Sequence, residues 1–381
     1  LVEISIIIPT YNESENVPIL LKRLLEYLPT ITESFEIIFV DDNSPDRTWE
    51  IVQKFAKKDS RILGIRRFSE RSLSSAVLSG MAASRGKFLL VMDADLQHDE
   101  KVIGKMLKEV EKFPIVVGSR IVSGGSYGNW DWKRKIPSAI SAYLSRKFLN
   151  LHLSEPLSGF FLIQRNVYET LAPSLNPRGF KILLEFIGRG RQFPVTEIGY
   201  TFQNRQFGKT KLSPSIVFDF LFSLLEIKWG FVFSITFLKY AFVGFMGVLV
   251  NLAGQWIGNK FLNMDYYNYK DGYLVPGLAV SLGFLLSVIH NFFVNNYWTF
   301  QDFAFRGKRL FLGFGKFLFV SVIGFLIQIS LWRYLLEGFL IVFSNASFVV
   351  LGYISNFIGI SVSTIWNYYL NKNFTWKRSF G

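Results

Sequence analysis

Two hydrophobic patterns divide the chain. Up to about Gly208, short apolar runs alternate with charged segments, and from Phe231 onward charges nearly vanish. In the first part, Glu3-Ile4-Ser5-Ile6-Ile7-Ile8 reads as a buried strand, followed by Pro9-Thr10-Tyr11-Asn12-Glu13 and a helix from about Asn16. Phe35–Val40 reads as a second strand, ahead of a helix over 46–58. Ile62–Arg66, a helix over 73–84 and an apolar strand from Phe88 that ends in Asp93 and Asp95 complete the series. Strands alternating with helices predict an α/β domain on a parallel, Rossmann-like sheet.

The second part carries four apolar spans, about Phe231–Phe261, Tyr273–Val294, Phe311–Leu336 and Phe339–Leu370. Each exceeds the roughly 20 residues that cross a bilayer as a helix. Four crossings place both ends of this region on one side. The connection between spans two and three carries Arg306, Lys308, Arg309 and Lys316, and the tail carries Lys372, Lys377 and Arg378. In the opposite connections the charges nearly cancel. That bias predicts an integral membrane protein with its polar domain in the cytoplasm. No cleavable signal peptide is expected before the first strand. Residues 213–229, aromatic-rich and opened by Ser213-Pro214, read as a linker helix in the membrane interface, with Lys228 and Trp229 at headgroup level. The expected division is therefore a domain over 1–212, this segment over 213–229, and a transmembrane domain over 230–381.

The membrane half repeats itself. Asn291-Phe-Phe-Val-Asn-Asn-Tyr-Trp-Thr-Phe300 matches Asn367-Tyr-Tyr-Leu-Asn-Lys-Asn-Phe-Thr-Trp376 in kind. Upstream, Lys239-Tyr-Ala-Phe-Val matches Lys316-Phe-Leu-Phe-Val, and Asn251 falls opposite Gln328. The unit is a two-helix hairpin repeated in one orientation. Intramembrane amides and lysines suit either transport or helix-to-helix bonding with snorkelling, and the second is favoured.

Composition narrows the chemistry. With no Cys there is no disulfide and no thiolate metal site, and the three His are scattered. The net charge of +13 is not gathered into long basic runs, so nucleic acid is not an expected partner. No Gly-X-Gly-X-X-Gly follows the first strand, which leaves a nicotinamide or flavin site unsupported. Acids stand instead at strand ends. On extended backbone, Asp93 and Asp95 would share a face at the carboxyl edge, where open parallel sheets bind ligands. Two such acids suit a hard divalent ion, Mg2+ or Mn2+, shared with a substrate diphosphate. Asp41 and Asp42 could bond a nucleobase and ribose, or one of them could cap the next helix.

Three segments together, Ile7-Ile8-Pro9-Thr10-Tyr11-Asn12-Glu13, Val40-Asp41-Asp42-Asn43-Ser44 and Met92-Asp93-Ala94-Asp95-Leu96-Gln97, resemble the inverting glycosyltransferases with a GT-A fold. Gly118-Ser119-Arg120, Trp130 to Ser138, Leu157-Ser158-Gly159-Phe160 and Arg205 to Leu212 are similar to the dolichol-phosphate mannose synthases within that group. The membrane half resembles the small four-helix partners of polyprenyl-phosphate glycosyltransferases. The resemblance implies a mixed-sheet GT-A domain with an all-α four-helix membrane domain, using GDP-mannose and dolichyl phosphate at a lipid bilayer. It implies that Pro9, Tyr11, Glu13, Val40 and Asp42 line the guanosine pocket. Asp93, Ala94, Asp95 and Gln97 would meet the donor diphosphate, with the metal on Asp93, Asp95 and Gln97. Arg205 and Lys211 would close over the donor, and Arg120, Arg134 and Ser138 would receive the acceptor phosphate. The catalytic set it implies is Asp95, Arg120, Arg134 and Lys211.

A phosphate acceptor is already anionic near neutral pH, its second pKa being about 6, so it needs no general base. The task is to hold two anions together for displacement at the anomeric carbon, which inverts the sugar. One rival is a UDP-glucose-dependent polyprenyl-phosphate glucosyltransferase. Another is a lipid-linked sugar carrier or flippase whose polar domain only senses nucleotide sugar.

Overall fold

The computed structural model describes residues 2–68, 72–128, 132–176, 181–203, 214–230, 234–265, 267–270, 273–342 and 348–377. They form two compact units, 1–229 and 230–381.

In the first unit the described elements run β1 (Ile4–Thr10), α1 (Asn16–Tyr27), β2 (Phe35–Asp41), α2 (Thr48–Ala56), β3 (Ile62–Arg66), α3 (Leu73–Ala83), β4 (Phe88–Val91), α4 (Ile103–Glu109), β5 (Ile115–Ser119), α5 (Trp132–Leu149), β6 (Phe161–Gln164), α6 (Arg165–Leu171), α7 (Ile182–Arg189), β7 (Val195–Gly199) and α8 (Pro214–Trp229). The seven strands make one sheet in the order β3-β2-β1-β4-β6-β5-β7. It is mixed because β6 runs antiparallel to both β4 and β5, whereas β5 and β7 are parallel. Ile6, Ile8, Ile37, Phe39 and Leu90 face one buried layer with α1, while Ile7, Leu89 and Val91 face the other. Strands sealed on both faces explain the unbroken apolar runs.

The amino ends of β1 and β2 are latched through Glu36. Ser5 Oγ (2.7 Å) and the Arg85 backbone N–H (2.6 Å) donate to its Oε1, and the Arg85 guanidinium donates to its Oε2 (2.9 and 3.0 Å). Burial opposes ionisation, but these donors outweigh it and hold the Glu36 carboxyl below its ordinary value. A depressed carboxylate stabilises the fold above its unfolded-state pKa, and that contribution is lost as pH falls through the folded one. Glu36→Gln should therefore cost about 1–3 kcal/mol at neutral pH. In denaturant unfolding of the full chain the deficit should shrink as the pH falls below the ordinary glutamate range, and a deficit independent of pH would refute the latch.

The segment expected at the membrane interface is helical over Pro214–Trp229. Helix α8 belongs to the first unit, burying Phe220, Leu224 and Ile227 in the layer shared with α7. Lys181 Nζ donates to Ser223 Oγ (2.6 Å), and Asn176 Nδ2 to Glu226 (2.6 Å). Lys228 Nζ lies 4.4 Å from the Phe148 ring centroid of α5, and Trp229 meets the same ring edge-on at 5.5 Å.

In the second unit the described elements are α9 (Ile235–Leu262), a hairpin of β8 (Tyr267–Lys270) and β9 (Tyr273–Pro276), α10 (Leu278–Val294), α11 (Arg309–Val342) and α12 (Phe348–Leu370). The expected second span thus begins at Leu278, since Tyr273–Pro276 is strand. Helix α11 runs six residues past Leu336, through Phe339, where a new span was expected. Among the described residues, three helices are long and apolar enough to cross a membrane: Ile235–Leu262, Leu278–Thr299 and Arg309–Phe339.

The repeat is physical. Helices α10 and α12 each end in a five-residue π-helical turn, Asn295–Thr299 and Asn371–Thr375. Asn291 packs so closely on Gly247 that a Cβ there would lie 2.4 Å from its Oδ1, and Asn367 packs likewise on Gly324. Lys239 lies 5.2 Å from the Trp298 ring, and Lys316 lies 5.2 Å from its counterpart Phe374. Gln328 Nε2 donates to Asn356 Oδ1 (3.2 Å), joining α11 to α12. Within this second unit the two hairpins meet through stacked Phe300 and Trp376 (4.4 Å) and through Trp376 Nε1 donating to Asn296 Oδ1 (3.1 Å). One difference stands out. Asn371 Nδ2 donates to the Tyr240 hydroxyl (3.0 Å), whereas the residue equivalent to Tyr240 is Phe317.

Candidate active site

The carboxyl ends of β1, β2, β4, β5 and β7 and the amino end of β6 share one edge of the sheet. The chain steps from β1 outward to β2 and β3, then returns to place β4 on the other side of β1. That reversal opens a crevice beyond the strand ends. Three loops there turn through non-glycine residues in left-handed backbone, Asn12 (φ 62°), Asn43 (φ 54°) and Leu96 (φ 63°). The first two loops are stitched together, the Asn12 N–H donating to Ser44 Oγ (3.0 Å) and the Glu13 N–H to Thr48 Oγ1 (3.0 Å).

Strand β4 stops at Val91, so Asp93 and Asp95 stand in the turn beyond it and not on the strand. The turn forms because Asp95 Oδ1 accepts the Gln97 N–H (3.2 Å) across the left-handed Leu96. The two acids consequently differ. Asp95 is buried at 6% exposure, whereas the Asp93 side chain is 36% exposed. The Asp93 N–H donates to His98 Nδ1 (3.1 Å), which leaves the proton of the neutral ring on Nε2, 4.0 Å from Asp93 Oδ2. Burial lowers the His98 pKa to about 4. The ring stacks on Phe160 (5.0 Å) and abuts Tyr200 (5.8 Å) and Phe202 (5.9 Å), so it braces the acidic turn. Gly159 closes the other side, where a Cβ would lie 2.8 Å from Asp93 Oδ2.

Two carboxylates with hard oxygen donors fit a hard divalent cation that takes its other ligands from water and a diphosphate. Among the described residues no cluster of three His, Cys, Asp or Glu side chains forms a closed metal cage. Gln97 Nε2 donates to Gln203 O (3.0 Å), and the Gln203 N–H returns to Gln97 O (2.9 Å), so only Oε1 could meet a cation.

Of the positions expected around the nucleoside, Pro9, Tyr11 and Glu13 are half-buried at the crevice. Val40 and Ala94 are sealed in the core and can offer only backbone. Asp41 is the structural acid, accepting from Ser44 N–H (2.8 Å), Ser44 Oγ (2.6 Å) and Thr10 Oγ1 (3.1 Å). Asp42 is held by Arg67, at 2.7 Å from Nε and 2.5 Å from Nη2, and accepts the Ser72 N–H (3.1 Å). Any base contact through Asp42 therefore works beside an existing ion pair.

On the acceptor side, Arg120 follows β5 at the same edge. Its Nε donates to Glu155 Oε1 (2.5 Å) and its backbone N–H to Glu155 Oε2 (2.6 Å), while its guanidinium lies over Phe202 (4.8 Å) and Tyr127 (5.1 Å). Arg134 lies in the first turn of α5 and Ser138 one turn later, a spacing that shares a helix face. The Arg134 side chain, and Arg205 and Lys211 entirely, lie outside the described residues. Tyr200 lies between the acidic turn and the Arg120–Glu155 pair. Burial pushes its phenol well above the ordinary value, with Arg120 pulling down and Glu155, Asp93 and Asp95 adding to the rise. Arg67, His98, Glu155 and Tyr200 were not anticipated as site residues, and no local motif marks them.

The family model described as Glycosyl transferase family 2 matches residues 5–172, and the one described as GtrA/DPMS, transmembrane domain matches residues 239–376. A dolichol-phosphate mannosyltransferase of Pyrococcus furiosus is 35% identical over 380 residues, covering 98% of this chain and 99% of the relative. A dolichol-phosphate mannosyltransferase of Saccharomyces cerevisiae is 34% identical over 234 residues, covering 59% of this chain and 87% of the relative. A glucosyl-3-phosphoglycerate synthase from Mycobacterium tuberculosis, solved with Mn2+, UDP and phosphoglyceric acid, superposes with a TM-score of 0.46 at 16% identity, covering 59% of this chain and 78% of that one. With an end-to-end relative at this identity, and a glycosyltransferase domain followed by a membrane domain, the chain belongs to the dolichol-phosphate mannosyltransferases.

Proposed function

We propose that this enzyme transfers mannose from GDP-mannose to dolichyl phosphate with inversion, releasing GDP and dolichyl β-D-mannosyl phosphate. The observation that carries this reading is the meeting of an acidic turn and a basic group at one sheet edge, in a chain matched end to end by a dolichol-phosphate mannosyltransferase. Pro9, Tyr11, Glu13 and Asp42 take the guanosine. Asp93 and Asp95, with Gln97 Oε1, would hold Mg2+ or Mn2+. That ion, when bound, supplies positive charge at the diphosphate of the departing GDP. Lys211 and Arg205 add to it from the donor side.

Arg120, Arg134 and Ser138 orient the acceptor so that a phosphate oxygen faces the anomeric carbon opposite the diphosphate. Guanidinium forks match phosphate geometry. The new C–O bond forms as the bond to the diphosphate breaks, and no proton has to move. The ring of His98 stays neutral and fixed, because its Nδ1 is occupied by the Asp93 N–H. The membrane domain crosses four times, α12 being the fourth helix, and the sugar-transferring domain is cytoplasmic. We assign the sugar-transferring domain to 1–212, the interfacial helix, which packs with it, to 213–229, and the membrane domain to 230–381.

The test is transfer by the full chain in lipid vesicles, comparing radiolabelled GDP-mannose and UDP-glucose on dolichyl phosphate with Mn2+, Mg2+ or EDTA. Organic-extractable label from GDP-mannose, lost in EDTA, is the expected result. Label from UDP-glucose alone would move the assignment to a glucosyl enzyme. Nucleotide binding without lipid product would overturn transfer itself.

A further inference from the structure

Arg120 does not stand alone at the acceptor edge. Glu155 uses both carboxylate oxygens on it, Oε1 on the guanidinium and Oε2 on the backbone N–H, so one carboxylate fixes the side chain and the turn that bears it. Glu155 is fixed in turn. Glu197 of β7 accepts the Ser154 N–H (2.7 Å) and the Glu155 N–H (3.0 Å). Strand β7 pairs with β5, with Ser119 opposite Gly199, and β5 leads directly into Arg120. The contacts form a closed ring from β5 through Arg120, Glu155 and Glu197 back to β5. The Arg120 side chain is 11% exposed and that of Glu155 only 4%.

We infer that Glu155 is a positioning residue for acceptor recognition. It occupies the Nε–Nη2 edge of Arg120, fixes the orientation in which the guanidinium meets the acceptor's phosphate, and offsets the charge of a buried guanidinium. This inference rests on the reading of Arg120 as an acceptor-phosphate group.

Three features favour this over a merely structural ion pair. The pair sits at the strand ends beside the acidic turn and not in the body of the core. The guanidinium also lies against the Tyr127 and Phe202 rings, which restricts its plane. And the ring of contacts closes through the strand next to β5, so Glu155 is set by the sheet. A group held this way keeps its orientation when an anion arrives, and displacement chemistry is sensitive to shifts of about 1 Å.

The experiment is a double-mutant cycle on the full chain in lipid vesicles, with Glu155→Gln, Arg120→Gln and the pair combined. KM for dolichyl phosphate, KM for GDP-mannose and kcat are measured for each. The Gln exchanges preserve shape, and the neutral pair avoids leaving one charge buried without the other. Glu155→Gln should raise the acceptor KM about ten-fold and leave the GDP-mannose KM unchanged. In the Arg120→Gln background it should add nothing, because the residue acts through Arg120. Arg120→Lys, which keeps the charge, replaces Arg120→Gln if that protein fails to fold. An unchanged acceptor KM in both Arg120 variants would remove the reading of Arg120 itself. A normal acceptor KM in Glu155→Gln would overturn the inference while Arg120 stands, and so would a fully multiplicative double mutant.

Discussion

Asp95→Asn should reduce mannosyl transfer by about three orders of magnitude, equivalent to about 4 kcal/mol in the barrier. The exchange is nearly isosteric, and the Asn carboxamide oxygen can still accept the Gln97 N–H that shapes the turn. What disappears is one negative charge at a buried position. A cation held by two carboxylates loses half of its protein charge, and the departing diphosphate loses the field that stabilises it. The readout is single-turnover transfer from GDP-mannose at saturating Mn2+, with metal-free GDP binding measured alongside. Nucleotide binding should survive. Transfer within ten-fold of the parent would show that Asp95 has no part in the chemistry.

The second large effect concerns a residue with no functional group. Gly159→Ala should lower transfer about a hundred-fold at limiting Mn2+, with partial recovery as Mn2+ rises. The added Cβ would meet Asp93 Oδ2 at 2.8 Å and its Cγ at 3.4 Å. Gly159 is not among the residues with positive φ, so alanine adds no backbone strain there. The carboxylate has to move instead, and it is the exposed member of the pair. A metal-activation curve separates this from unfolding, since a destabilised protein loses amplitude and a displaced ligand shifts the midpoint. An unshifted midpoint would mean that the Asp93 carboxylate accommodates the methyl group without consequence.

Much of this was legible in the chain, for identifiable reasons. Strands β1, β2 and β4 announce themselves because each is sealed on both faces and reads as an apolar run between turn residues. The repeat was legible because Asn, aromatic and Thr positions recur together. Other features were not. Strand β6 has only four residues, and its antiparallel course depends on which neighbours it joins. The expectation placed Asp93 and Asp95 on the strand itself, but β4 stops at Val91, and the apolar Met92 gives no warning that pairing has ended. Tyr273–Pro276 looked like membrane span because tyrosine, leucine and valine are equally at home in a hairpin. Ion pairs such as Arg67 with Asp42 and Arg120 with Glu155 join loops 25 and 35 residues apart, and only the topology brings those loops together.

The two membrane hairpins stack Phe300 on its counterpart Trp376, yet Tyr240 meets Asn371 where the matching position holds Phe317. Two identical hairpins assembling as separate subunits could not differ in this way, because rotational symmetry places the same residue at both contacts. Carrying both on one chain lifts that constraint, and it makes their association intramolecular and independent of protein concentration. Each clasp is then free to carry its own substitutions, so the two halves of the duplicated domain can differ where two identical subunits could not.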